Sequence, residues 1–121
     1  GTDMLTSCMM DFENGQASVT ASTQVNAHQK VEILGSDGKI VITPPFNVPV
    51  DVPAVLTCEN SDGFRELECE IADQYGLQFE AFSTVIREGG VMPISDDEAI
   101  NNMKAIDALF RSEKSGSWET V

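Results

Sequence analysis

Positive charge is what this sequence has least of: seven Lys and Arg stand against 20 Asp and Glu, for a net charge of −13. A nucleic-acid binder needs a cationic footprint to displace counterions from phosphate, and an anionic membrane surface asks for the same, so both partner classes are excluded. Histidine occurs once, at His28, so no His–His metal pair exists and any Ser- or Cys-based triad would depend on that single ring. The three cysteines, Cys8, Cys58 and Cys69, are odd in number and show no C-x-x-C spacing. That argues against a disulfide framework and against a zinc site. Each lies in an apolar strand pattern, where a thiol acts as a small hydrophobe, and a reducing, cytoplasmic setting is the expectation. No apolar run approaches the roughly 18–20 residues of a membrane span. G-x-S-x-G, the P-loop and a G-x-G-x-x-G after a strand are all missing. The lysines, at 30, 39, 104 and 114, fall in polar stretches and lack the buried setting a catalytic lysine needs.

What remains is a globular composition, 41% hydrophobic over 121 residues, enough for one domain spanning 1–121. The chain opens Gly1-Thr2-Asp3 without an initiator Met or a basic-then-apolar leader, so a processed or truncated product without a signal peptide is expected. Strands are expected over 4–12, 16–24, 29–34, 39–43, 55–59 and 65–71. In the second, Ala17, Val19 and Ala21 alternate with Ser18, Thr20 and Ser22, the pattern of a sheet with one covered and one polar face. Asn14-Gly15 and Asp37-Gly38 predict tight hairpin turns with positive backbone angles. Residues 44–53 hold four of the five prolines and predict an extended connection that cannot join a ladder. Glu66, Glu68 and Glu70 share one strand face, which must be wet.

Two helices follow. Tyr75, Phe79, Phe82 and Ile86 fall at helical spacing ahead of Gly89-Gly90, and Ala99, Met103, Ile106 and Phe110 do so ahead of Gly116; both stripes are expected to be core. Ser95 with Glu98 has capping-box spacing. Trp118–Val121 is expected to add a short terminal strand. Strands first and helices last make an α+β fold: an open, mostly antiparallel sheet of about six strands with two main helices on one face. His28 is either an ordinary exposed loop histidine or, with Gln24 and Asn26, part of a polar patch for a hydroxyl-rich ligand.

In order along the chain, Asp11-Phe12-Glu13-Asn14-Gly15, the stretch from Val31 to Ile40, Tyr75–Phe82, Ala99–Met103, Ile106–Ser112 and the Gly116–Val121 tail form a recognisable set. This set resembles the C-terminal domain of the glucose–fructose oxidoreductase / inositol dehydrogenase (Gfo/Idh/MocA) family. The resemblance implies a parent with an N-terminal Rossmann domain that binds NAD or NADP, with no cofactor expected on this chain alone. It implies a sugar-like substrate contacted by Gln24, Asn26 and His28, no catalytic residue here, and homo-oligomers formed through the open sheet face. His28 is not the family's catalytic histidine, which precedes the hairpin in such enzymes. Some relatives place tyrosine in this loop, where this chain has Val25 and Ala27. A free-standing small-ligand-binding or dimerisation module is the alternative, and a hydrolase built on His28 a third.

Overall fold

A computed structural model describes residues 3–121; Gly1 and Thr2, within the expected 1–121 domain, lie outside them. Six strands precede two helices: β1 Leu5–Phe12, β2 Gly15–Ser22, β3 Val31–Leu34, β4 Gly38–Ile42, β5 Val55–Asn60, β6 Gly63–Glu68, α1 Gln74–Glu88 and α2 Asp96–Ser115. The fold is α+β and every strand pairing is antiparallel. The strands form a hairpin, β1-β2, and a four-stranded meander, β3-β4-β5-β6. Two compact units result: the residues up to Val25 with Met92–Val121, and Asn26–Val91.

In the first unit Phe12 pairs with Gly15, Cys8 with Val19 and Ser7 with Thr20. That register puts Ala17, Val19 and Ala21 on one face with Met10, Cys8 and Thr6, as the alternation requires. The other face carries hydroxyls, and those of Ser7 and Thr20 hydrogen-bond at 3.0 Å. The turn is Glu13-Asn14, one position earlier than expected. Gly15 already sits in the ladder opposite Phe12, so neither it nor Asn14 takes positive angles.

The meander turns at 35–37 and again at Ser61-Asp62. Gly38 likewise keeps ordinary angles, and its glycine serves close approach instead: a Cβ there would lie 2.4 Å from the Glu59 carbonyl of β5. At Ser61-Asp62 the Asn60 side chain accepts the Asp62 N–H at 3.0 Å and Gly63 takes φ 124°. One face of the meander carries Val31, Ile33, Ile40, Ile42, Leu56, Cys58, Arg65 and Leu67; the other mixes Glu32, Lys39, Glu59, Glu66 and Glu68 with Leu34, Val41, Val55 and Phe64. All of β6 is exposed, so its carboxylates are wet as expected.

The helices expose the stripes expected to be core. Tyr75, Phe79, Phe82 and Ile86 are 57, 68, 48 and 68% exposed. The half-buried residues of α1 are Ala81, Thr84 and Val85, a neighbouring face. On α2 the inward positions are Ala105, Ala108, Leu109 and Ser112, with Ala108 the only fully buried hydrophobic residue among the described residues.

Caps bound both helices. Asp73 accepts the N–H groups of Tyr75 and Gly76, each at 3.1 Å, and a Cβ on Gly76 would meet that carboxylate at 2.9 Å. Ser95 sits at the α2 cap without closing a capping box, because the Glu98 N–H donates to the Ser95 carbonyl rather than to its hydroxyl. Acidic Asp96, Asp97 and Glu98 then complement the helix dipole. The expected strand at 118–121 does not form. Its polar groups bond to side chains of the last turns of α2: Thr120 O to Arg111, and the Glu119 carboxylate to Ser115.

Two measurements check these assignments. Asp73→Ala removes the acceptor for two N–H groups and should cost about 1 kcal/mol in denaturant unfolding, while Asp73→Asn should recover most of that loss. The Lys39–Glu59 pair at 2.9 Å, through its hydrogen bond and then its charge, holds Lys39 above its ordinary value of 10.5. Its stabilisation is therefore complete below that value and lost as pH rises through the higher folded value. NMR titration should show Lys39 in Glu59→Gln returning to the ordinary range. Glu32, lowered by its hydrogen bond and ion pair with Lys30 at 2.7 Å, runs the other way: its contribution is present above 4.5 and fades as pH falls through the lower folded value.

Candidate functional site

The ladder pins the chain as far as Gln24 and then releases it. Ser22 Oγ donates to the Met4 carbonyl at 2.6 Å, Thr23 N–H donates to the same carbonyl at 3.1 Å, and Gln24 N–H donates to Ser22 Oγ at 3.1 Å. Asn26 and His28 follow, without regular structure, and all three candidate side chains are exposed. Gln24 belongs to the first unit, and Asn26 and His28 to the second. None of the three lines the larger cavities of the two units. Exposed amide and imidazole groups of this kind donate and accept hydrogen bonds to hydroxyls, which is chemistry for holding a polyhydroxylated molecule.

Each unit has one sizeable hollow. In the second, a cavity of about 490 Å³ opens over the apolar face of the meander. A cross-strand row, Ile33–Ile40–Cys58–Arg65, floors it together with Leu67, and Ser36, Asp37 and Asn60 stand at the turns. Arg65 shares the parity of Leu67, a signal present in the sequence, where attention falls instead on the intervening glutamates. In the first unit a cavity of about 470 Å³ lies between β1 and α2, lined by Leu5, Ser7, Cys8, Ile106, Leu109 and Phe110. Both mix apolar side chains with polar ones, Asp37, Lys39, Glu59 and Arg65 in that of the second unit and Asp3, Ser112 and Glu113 in that of the first.

Reactive pairings are missing among the described residues. No group of three His, Cys, Asp or Glu side chains is placed to hold a metal ion. The recorded side-chain hydrogen bonds of the serines run to other hydroxyls, carboxylates and main-chain groups, not to an imidazole, so no nucleophile–base pair is assembled. No helix is long and apolar enough to cross a membrane. The arrangement presents hydrogen-bonding groups and hollows of mixed lining among the described residues.

Comparison with known proteins accounts for this combination. Residues 3–121 match the model described as "Oxidoreductase family, C-terminal alpha/beta domain". An uncharacterized oxidoreductase of Rhizobium meliloti, ORF334, is 37% identical over 127 residues, covering 100% of this chain and 38% of that protein. A protein of Haloferax volcanii named D-xylose 1-dehydrogenase (NADP(+)) 2 is 25% identical over 118 residues, covering 97% of this chain and 36% of that protein. The chain thus spans less than two fifths of the length of these curated relatives. No solved structure matches it. With the match running through every described strand and helix, the chain belongs to the Gfo/Idh/MocA oxidoreductase family, as its C-terminal domain.

Proposed function

We propose that this chain is the substrate-side domain of an NAD(P)-dependent oxidoreductase acting on a sugar, a polyol or a related secondary alcohol. The observation that carries the reading is the family match over residues 3–121, joined to relatives more than twice as long. The name of the Haloferax volcanii relative, with its aldose substrate and NADP(+), points to the substrate class and the cofactor.

The chain's own residues do not fit a dinucleotide. Pyrophosphate is held by free N–H groups and the positive end of a helix dipole. Here the Asp73 carboxylate already occupies the start of α1, and Asp96, Asp97 and Glu98 crowd the start of α2. Each would repel a phosphate. Cofactor binding and hydride transfer therefore belong to the remainder of such an enzyme. Gln24, Asn26 and His28 supply hydrogen bonds to substrate hydroxyls, and the hydroxyl face of β1-β2, with Ser18, Thr20 and Ser22, supplies a close-packing surface for subunit association.

Titration calorimetry of the 121-residue chain with NAD⁺ and NADP⁺ should show no micromolar binding, and binding at that strength would overturn the assignment. In the full-length oxidoreductase, Asn26→Ala and His28→Ala should each raise KM for the sugar about fivefold, or about 1 kcal/mol, with kcat little changed. An unaltered KM in the Gln24→Ala/Asn26→Ala/His28→Ala triple variant would remove this segment from the site. Thr20→Glu should lower the oligomeric state in analytical ultracentrifugation, since like charges would then meet across the hydroxyl face.

A further inference from the structure

The β1-β2 turn carries a chemically labile dipeptide at an exposed end of the hairpin. Asn14 is followed by Gly15, and no other asparagine of the chain precedes a glycine. Residues 11–16 are all exposed. A Cβ built on Gly15 would meet no atom within 4 Å, so the space around its main chain is open. Asp37-Gly38 and Asp62-Gly63 stand at the corresponding places in two turns of the meander. A carboxylate is a poorer electrophile than a neutral amide, which sets Asn14 apart from both aspartates.

Two features hold this end shut. Thr23 N–H donates to the Met4 carbonyl, and main-chain hydrogen bonds in an antiparallel ladder fall on every second pair. Counted along the register, Phe12–Gly15 is therefore a bonded pair, and the Phe12 carbonyl engages the Gly15 N–H. One pair further in, Gln16 Nε2 donates across the ladder to Asp11 Oδ1 at 3.1 Å. The sheet is only two strands wide, so this last rung has no third strand beside it and opens at low cost.

We propose that Asn14 is a site of covalent modification by deamidation, gated by opening of the Phe12–Gly15 rung. Once the rung opens, the main-chain nitrogen of Gly15 attacks the side-chain carbonyl carbon of Asn14. The new C–N bond closes a succinimide ring, the bond to the amide nitrogen breaks, and ammonia leaves with the proton given up by Gly15. Water then opens the ring at either carbonyl. The residue at position 14 becomes an aspartate linked onward through its main chain, or an isoaspartate linked through its side chain. Water is the only co-reactant. Both products add a negative charge between Asp11 and Gln16, beside Glu13. The isoaspartyl product also adds a methylene to the main chain of a two-residue turn, which can then no longer set Phe12 opposite Gly15. Modification therefore leaves the hairpin end open. The site stands apart from any role of Gln24, Asn26 and His28.

Incubation of the 121-residue chain at neutral pH, followed by peptide mapping with mass spectrometry, should show position 14 deamidating ahead of every other asparagine. In denaturing urea the reaction should run about tenfold faster or more, because the rung no longer holds the nitrogen. Asp11→Ala and Gln16→Ala each remove the clasp, and each should speed the reaction about threefold in the folded chain without changing the rate in urea. Gly15→Ala, for which the ladder has room, should slow it several-fold in urea, where the added methyl hinders attack. In the purified isoaspartyl form, hydrogen exchange should show the Gly15 amide unprotected while the amides of Cys8 and Val19 stay protected. Equal rates in folded chain and urea, or a folded rate unmoved by both clasp variants, would remove the gate. Another asparagine reacting first, an undiminished rate in Gly15→Ala, or a protected Gly15 amide in the isoaspartyl form would likewise overturn the proposal.

Discussion

Ladder register is the constraint on which the rest of the two units depends, because a slip of one residue would exchange the faces of every strand. With Cys8 opposite Val19 and Ser7 opposite Thr20, the hairpin puts Ala17, Val19 and Ala21 on one face and Ser18, Thr20 and Ser22, with Leu5 and Met9, on the other. In the meander Ile40 sits between Ile33 and Cys58, and Lys39 meets Glu59 on the opposite face. The turns protect that register. Gly38 admits the Glu59 carbonyl where any Cβ would collide, and Asn60 closes the Ser61-Asp62 turn with its side chain. With Ala108 the one fully buried hydrophobic among the described residues, main-chain hydrogen bonds and caps carry a large share of the order within each unit.

Charge bears on the proposed division of labour between this domain and the remainder of an oxidoreductase. Acidic caps satisfy the helix N-termini internally and withdraw them from phosphate recognition. The candidate segment offers a ligand the amides of Gln24 and Asn26 and the imidazole of His28. Such groups discriminate by shape and hydrogen bonding, which suits polyhydroxylated molecules. The apolar side chains left open on α1 and on the meander are surfaces that gain stability when covered.

Much of this was legible in the sequence because it is local. Period-two alternation in Ala17–Ser22, prolines at 44–53 and glycines after each helix are short-range signals, and the six strands and two helices appear within a few residues of their expected places. Local signals misled where two main-chain geometries compete for one motif. Asn14-Gly15 suggested a primed turn, yet Gly15 was drawn into the ladder. Ser95 and Glu98 had the right spacing for a capping box, but the Glu98 N–H found the Ser95 carbonyl first. At the tail, a β-like run of Trp-Glu-Thr-Val lost to side-chain acceptors and donors on α2.

The sequence by itself determined the element order, the pairing pattern of the strands and the family. Those follow from periodicity, composition and charge, which need no knowledge of what lies across space. Tertiary structure alone decided which helix face turns inward: Ala81, Thr84 and Val85 rather than the aromatic stripe of α1, and Ala105, Ala108 and Leu109 on α2. Periodicity marks an apolar stripe on a helix, but which side of it is covered depends on the chain that lies across from it. Tertiary structure likewise decided the course of the tail, because Arg111, Ser112 and Ser115 are brought to it only once α2 has formed.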